Sequence, residues 1–168
     1  AGIIINKELY RGYNCLAGEV GFSVTDSDQF NDKIVDSGSF EQRFNTNNLI
    51  KKIQQQFNIT AGSFNEIKKE LASKSDFNDC IKNINTNIAM LLINIFSILN
   101  PEVIVIGGEY TELINYYIAE IKSRVKKSVP FASDILVSEL GEEVYVLGSI
   151  ANSIQGLERQ LIRKYFME

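Results

Sequence analysis

The most constraining feature of the sequence is an uninterrupted apolar run, Val103–Ile106, followed directly by Gly107 and Gly108. Four branched aliphatic residues without polar alternation are typical of a parallel strand buried on both faces of a sheet. A long amphipathic segment precedes the run and ends at Asn100-Pro101, because proline disfavours helix in the residue before it. A helix, a buried strand and a further helix predict an α/β layer architecture, with a mixed sheet flanked by helices.

Hydrophobic spacing and turn residues predict the other elements. They are a hairpin over 3–11, a short strand over 21–24, a loop over 26–38, a helix over 40–57 interrupted at 45–48, helices over 63–72, 77–99, 113–125 and 142–165, and a strand over 135–137. Ser63, with Glu66 three residues on, predicts a capping box. Gly148 within the last helix indicates close packing against another element. We expect a single domain over residues 1–168.

The composition excludes several classes of site. The chain has no histidine, which removes the usual general base near neutral pH and the most common metal ligand. Its formal charge of −4 provides no basic field for holding nucleic acid or anionic lipid. Cys15 and Cys80 match no metal or redox spacing, so we expect two reduced thiols.

No targeting or membrane segment is predicted. The apolar residues 3–5 are too few for a signal peptide, and the longest apolar run, residues 88–99, is shorter than the ~20 residues that span a bilayer. We therefore expect a cytoplasmic protein with no membrane contact. The chain starts with Ala1-Gly2 instead of Met, and we expect it to be an excised piece of a longer protein.

Two acidic residues lie in patterns that suit ligand binding. Glu19 stands between Gly18 and Gly21, where the backbone can approach a ligand closely, and a carboxylate can accept hydrogen bonds from adjacent sugar hydroxyls. A turn with a solvated glutamate explains the same pattern. Glu41 lies at the start of a predicted helix. There, the alternative is that Ser39 caps the helix and Glu41 complements its positive end.

The Gly107-Gly108 pair after the buried strand is a third candidate. In open α/β sheets, ligands bind beyond the carboxyl ends of the strands, and backbone without side chains there lets a nucleotide lie close. A simple strand-to-helix turn explains the pair equally well.

Ordered segments of the chain resemble the ROK family of bacterial sugar kinases and sugar-responsive repressors. Residues 2–12 (GIIINKELYRG) run into 17–21 (AGEVG), which is similar to the family's segment leading into A-G-E-x-G-H. Residues 99–108 (LNPEVIVIGG) resemble its segment from L-N-P to G-G, and residues 147–151 (LGSIA) its closing L-G-A-A helix. The resemblance spans nearly the whole chain and is weakest over 25–78.

The resemblance implies the actin-like, ribonuclease-H-like ATPase fold. Within that fold it implies that residues 1–168 are the C-terminal lobe, with the preceding lobe and any helix-turn-helix domain upstream. It implies Glu19 and Glu41 as contacts to sugar hydroxyls, and Gly107 and Gly108 as residues on the adenosine side of the kinases. It implies no catalytic residue in this chain, because the family's catalytic aspartate and phosphate-binding loop come from the preceding lobe.

The chain departs from the family pattern at the zinc site. Phe22 stands where the family has the histidine that contacts the sugar and binds zinc together with three cysteines. The corresponding residues 32–41 contain no cysteine, and Ser39 takes the position of the last one. Because zinc needs about four sulfur or imidazole ligands, we expect no metal and no zinc cofactor. ATP with Mg²⁺ is expected only if the chain is part of a kinase.

Three functions remain open. The leading hypothesis is the sugar-binding and dimerising portion of a ROK-type transcriptional repressor, not catalytic by itself, with DNA contacted only through an upstream domain. The alternative is a fragment of an ATP-dependent hexose or amino-sugar kinase that lacks the zinc motif. The third is a degenerate lobe kept for dimerisation, which Glu109 favours because it interrupts the glycine run. The expected partners are a monosaccharide or amino-sugar effector and a second copy of the chain.

Overall fold

Helices make up most of the chain, and short strands lie among them. The computed structural model describes residues 1–27, 38–71, 73–108, 110–141 and 143–166. Its elements are β1 (Ile3–Ile5), β2 (Glu8–Tyr10), a 3₁₀ turn (Val20–Phe22), α1 (Ser39–Phe44), α2 (Thr46–Phe57), α3 (Phe64–Leu71), α4 (Ser75–Leu99), β3 (Val103–Ile106), α5 (Tyr110–Ser128), β4 (Asp134–Val137) and α6 (Glu143–Phe166). They form two compact units. Unit 1 comprises Ala1–Pro101 and Tyr117–Ala132, and unit 2 comprises Glu102–Tyr116 and Ser133–Glu168.

The predicted hairpin is confirmed. Strands β1 and β2 pair antiparallel, with Ile4 opposite Leu9. The connection consists of Asn6 at φ 53° and Lys7 at φ 67°. Positive φ at both central residues defines a type I′ turn, whose twist matches that of the two strands.

The predicted strand over 21–24 is wrong. The chain forms a 3₁₀ turn at Val20–Phe22 instead. The Phe22 amide donates to the Glu19 carbonyl at 3.2 Å, and the Ser23 amide to the Val20 carbonyl at 3.0 Å. Because these bonds close between residues three apart, the amides are used locally and not in a sheet ladder.

Asn45 divides the predicted helix over 40–57 into α1 and α2, inside the interval where a break was expected. Its backbone is extended, and its side chain accepts a hydrogen bond from the Asn48 amide at 2.9 Å, which caps α2. The capping box before α3 is confirmed with a shift of one residue. Ser63 Oγ accepts from the Glu66 amide at 3.3 Å, whereas the Glu66 carboxylate accepts from the Gly62 amide at 2.8 Å.

Helix α4 forms the centre of unit 1. Its buried apolar side chains are Phe77, Ile81, Ile84, Ile88, Ala89, Leu91, Leu92 and Phe96. Burial of each large one stabilises the fold by about 1.5–3 kcal/mol. By length and composition α4 could cross a membrane, and half of its most apolar window is buried inside the chain. The helix ends as predicted, with Asn100 in the left-handed conformation at φ 43°.

In unit 2, strands β3 and β4 pair in parallel, with Ile104 opposite Ile135. The prediction that β3 is buried on both faces is wrong for the described structure. Val103 is 41% exposed and Val105 58% exposed. Among the described residues β3 pairs with β4 alone, and one face of this small sheet stays uncovered.

Helix α6 carries a wide exposed apolar stripe. Its exposed large apolar residues are Tyr145, Val146, Leu147, Ile150, Ile154, Leu157, Leu161, Ile162 and Tyr165. Spacings of three and four residues place most of them on one side of the helix. The predicted close packing at Gly148 is wrong within the described structure, because nothing there lies within 4 Å of a Cβ built on that residue.

Candidate functional site

The loop that carries Glu19 depends on left-handed glycines. Gly12 has φ 70° and Gly18 has φ 90°. The Ala17 amide donates to the Arg11 carbonyl at 3.1 Å and closes the loop. Glu19 then lies at the N-cap of the 3₁₀ turn with an exposed side chain. Its carboxylate can therefore accept hydrogen bonds from a ligand in solution.

Glu41 lies in the first turn of α1, and its side chain is exposed. The proposed capping by Ser39 is wrong, because Gly38 occupies the N-cap and no side chain caps the helix. The Glu41 carbonyl accepts from the Asn45 amide at 2.8 Å, which holds the end of α1. A carboxylate in the first turn also complements the positive end of the helix.

The 3₁₀ turn and α1 pack directly against each other. Gly38 is buried at this contact. On α1 the rings of Phe40 and Phe44 are also buried, with centroids 4.7 Å apart. The structure thus brings together the two elements that carry Glu19 and Glu41. Each of the two exposed carboxylates can accept hydrogen bonds from hydroxyl groups.

Gly107 and Gly108 lie in unit 2, after β3 as predicted. Gly108 is buried with φ 78°, and its carbonyl accepts from the amide and the hydroxyl of Thr111 at 3.1 and 2.9 Å. The Tyr145 hydroxyl oxygen lies 2.8 Å from the position of a Cβ built on Gly108. Tyr145 is 64% exposed, so this contact is made by the mobile end of a side chain. Glu109 lies outside the described residues.

The described part of the chain has no cluster of three or more histidine, cysteine or acidic side chains that could hold a metal ion. Phe22, at the family's histidine position, is half exposed. Residues 28–37, which include most of the family's cysteine segment, lie outside the described structure. Cys15 and Cys80 are free thiols in the structure.

A cavity of about 480 Å³ in unit 1, between α1, α2 and α4, was not predicted from the sequence. It is lined by Asp26, Arg43, Phe44, Leu49, Lys52, Ile53, Gln56, Cys80, Asn83, Ile84 and Asn87. Among the lining residues, Asn87 accepts a hydrogen bond from the Thr25 hydroxyl at 2.8 Å and donates one to the Asn83 carbonyl at 3.0 Å. The signal available in the sequence was Asn87, a polar residue on the buried face of an apolar helix.

Known proteins similar to this chain include one family and three repressors. The model of the ROK family matches residues 1–153. A xylose repressor of Bacillus spizizenii is 27% identical over 153 residues, which cover 88% of this chain and 39% of that protein. A xylose repressor of Bacillus subtilis is 26% identical with the same coverage. A putative xylose repressor of Caldicellulosiruptor sp. is 25% identical over 182 residues, covering 94% of this chain and 44% of that protein. The chain thus spans less than half the length of these relatives.

Proposed function

The chain belongs to the ROK family, and from that premise we propose that it is the effector-binding portion of a transcriptional repressor. The family implies the actin-like ATPase fold. Within that fold we assign residues 1–168 to the C-terminal lobe, with the preceding lobe and a DNA-binding domain upstream. The support is the description of three relatives as repressors, together with the similarity of the chain to under half of each.

The effector is a sugar held by Glu19 and Glu41, and D-xylose is the first candidate because the relatives are described as xylose repressors. The observation that carries this proposal is the packing of the 3₁₀ turn on α1, since it joins the two elements with exposed carboxylates. Each carboxylate can accept hydrogen bonds from two neighbouring hydroxyls. A neutral sugar suits the pair, because two acids repel an anionic ligand.

Regulation follows from differential affinity. A sugar that binds one conformation of the repressor better than another shifts the population toward that conformation. This chain needs no catalytic residue, no zinc and no ATP to do so. The repressor works in the cytoplasm as a homodimer and contacts DNA only through its upstream domain. Sedimentation of the full-length protein as a monomer at all concentrations would contradict the dimer.

Sugar binding is tested by calorimetric titration of the full-length protein with D-xylose and a panel of hexoses and amino sugars. The proposal expects saturable binding of at least one sugar. Glu19→Gln and Glu41→Gln should weaken it by about tenfold or more each, because a hydrogen bond to a charged group is worth about 1.5–3 kcal/mol. Glu70→Gln, an exposed acid on α3, is the matched control. Binding that survives both site substitutions would refute the assignment of Glu19 and Glu41.

The kinase alternative has less support, because the three relatives are described as xylose repressors, one of them as putative. Measurement of ATP consumption with the same sugars separates the two functions. Turnover that depends on the sugar would establish a kinase and remove the repressor proposal.

A further inference from the structure

We infer that Gly38 is a positioning residue of the sugar site: its lack of a side chain sets the place of Glu41 relative to Glu19. The inference rests on the proposed function. It adds the residue whose close backbone contact sets the positions of the two acids. Gly38 itself does not contact the sugar. It acts through the backbone on which Glu41 stands.

The conformation of Gly38 is the first observation. Its φ of 78° and ψ of 155° fall in a region of backbone space that is essentially restricted to glycine. Gly38 is also the N-cap of α1, and its carbonyl accepts from the Gln42 amide at 3.1 Å. The direction in which α1 begins, and so the place of Glu41 in its first turn, depends on this single residue.

The space around Gly38 is the second observation. A Cβ built there would lie 2.6 Å from the carbonyl carbon of Gly21 and 2.7 Å from the Cα of Phe22, and still closer to the Gly21 carbonyl oxygen. All of these atoms are backbone, so no rotation of a side chain can relieve the overlap. The 3₁₀ turn and α1 must separate to admit even a methyl group.

The acids are close to this contact along the chain. Glu19 precedes Gly21 by two residues, and the Phe22 amide bonds back to its carbonyl at 3.2 Å. Glu41 follows Gly38 by three residues, within the same helical turn. Relief of the overlap requires a separation of roughly 1 Å, enough to break a hydrogen bond, whose heavy atoms must lie within about 2.5–3.2 Å.

The inference is tested with Gly38→Ala in the full-length protein, by calorimetric titration with D-xylose, or with the best sugar of the panel. Two controls separate the possible causes. Gly141→Ala adds a methyl at φ 52° with nothing within 4 Å, so it tests backbone strain alone. Gly62→Ala adds a methyl whose nearest neighbour is the Glu66 carboxylate at 3.9 Å. We expect Gly38→Ala to raise Kd by about tenfold or more and both controls to leave Kd unchanged.

A thermodynamic cycle with Glu41→Gln gives a readout that a merely structural role would not move. If Gly38 acts through Glu41, the loss of affinity from Gly38→Ala should shrink in the Glu41→Gln background, since the two changes share one contact. Additive losses would overturn the inference. So would an unchanged Kd for folded Gly38→Ala.

The folded fraction of each variant is followed by circular dichroism, and molar sucrose is added if Gly38→Ala unfolds, because excluded osmolytes favour the compact state. Failure to fold in sucrose as well would assign Gly38 to stability alone and contradict the inference. Failure of the parent protein to bind any sugar would overturn the proposed function and the inference together. Binding that is weakened by Glu19→Gln but not by Gly38→Ala would overturn the inference alone.

Discussion

The guanidinium of Arg124 on α5 donates from Nη1 to the hydroxyl oxygen of Thr86 on α4, at 2.8 Å. The same guanidinium donates from Nε and Nη2 to Glu120 Oε1 at 3.1 and 2.8 Å, and Glu120 Oε2 accepts from Asn85 Nδ2 at 3.3 Å. These bonds join α4 to α5 within unit 1. Asn85 is 1% exposed, so its amide depends on this partner.

Glu120→Ala should therefore lower the free energy of unfolding by about 1–3 kcal/mol, because it removes Glu120 Oε2, the acceptor for the buried Asn85 amide. Urea denaturation measures the change. Lys82→Ala is the control, since its ion pair with Asp79 at 3.4 Å joins two exposed side chains and contributes little. Equal effects of the two substitutions would contradict the role of Glu120 as the acceptor for the buried Asn85 amide.

Tyr117 should make the fold sensitive to alkaline pH. Burial of its ring, and then the negative charge of Glu120, raise the pKa of its hydroxyl above the ordinary 10.0. Above pH 10 the unfolded chain loses this proton while the folded chain keeps it, so the free energy of unfolding falls as pH rises. Tyr117→Phe should remove part of that fall. The comparison is a denaturation series on both sides of pH 10, with Tyr13→Phe, a fully exposed tyrosine, as control.

Cys80 should react slowly with disulfide reagents. Burial raises the pKa of its thiol above the usual 9.0, and the Lys52 ammonium opposes that shift only in part. Because the thiolate is the attacking form, the rate should climb only at alkaline pH. Reaction of a Cys15→Ser variant, followed spectroscopically against pH, isolates this thiol. Adding Lys52→Gln should slow the reaction further, and an unchanged rate would show that Lys52 has no influence on Cys80.

Local chemistry explains which elements could be predicted from the sequence. The turn at Asn6 and Lys7 and the break at Asn45 depend on residues within three positions, and both were predicted. The strand expected over 21–24 was wrong because its amides bond locally. Its apolar residues had suggested a sheet, but the backbone of Gly21 lies against Gly38, seventeen positions along the chain, a contact that no periodicity reveals.

The candidate site, too, could be predicted from the sequence only in part. Glu19 and Glu41 could be singled out from motif and glycine spacing, and their roles stay predictions. The family resemblance implied that the two acids meet at one sugar, but spacing alone could not reveal the backbone contact of Gly38 with Gly21 that joins their elements. Ser39 was a reasonable cap by residue type, yet Gly38 takes the N-cap because only glycine adopts its conformation there.

Replacement by alanine should change the free energy of unfolding in opposite directions at two glycines that have free space around them. Gly156 lies inside α6, and nothing in the described structure lies within 4 Å of a Cβ built on it. Gly156→Ala should raise the free energy of unfolding by roughly 0.5–1 kcal/mol, because glycine loses more backbone entropy in a helix than alanine. Gly141 has equal space but φ 52°, so Gly141→Ala should lower the free energy of unfolding by about 1–2 kcal/mol. Urea denaturation of both variants and of the parent protein measures the two changes in the free energy of unfolding. Changes of the same sign would mean that free space, and not backbone conformation, determines the effect of the added methyl group.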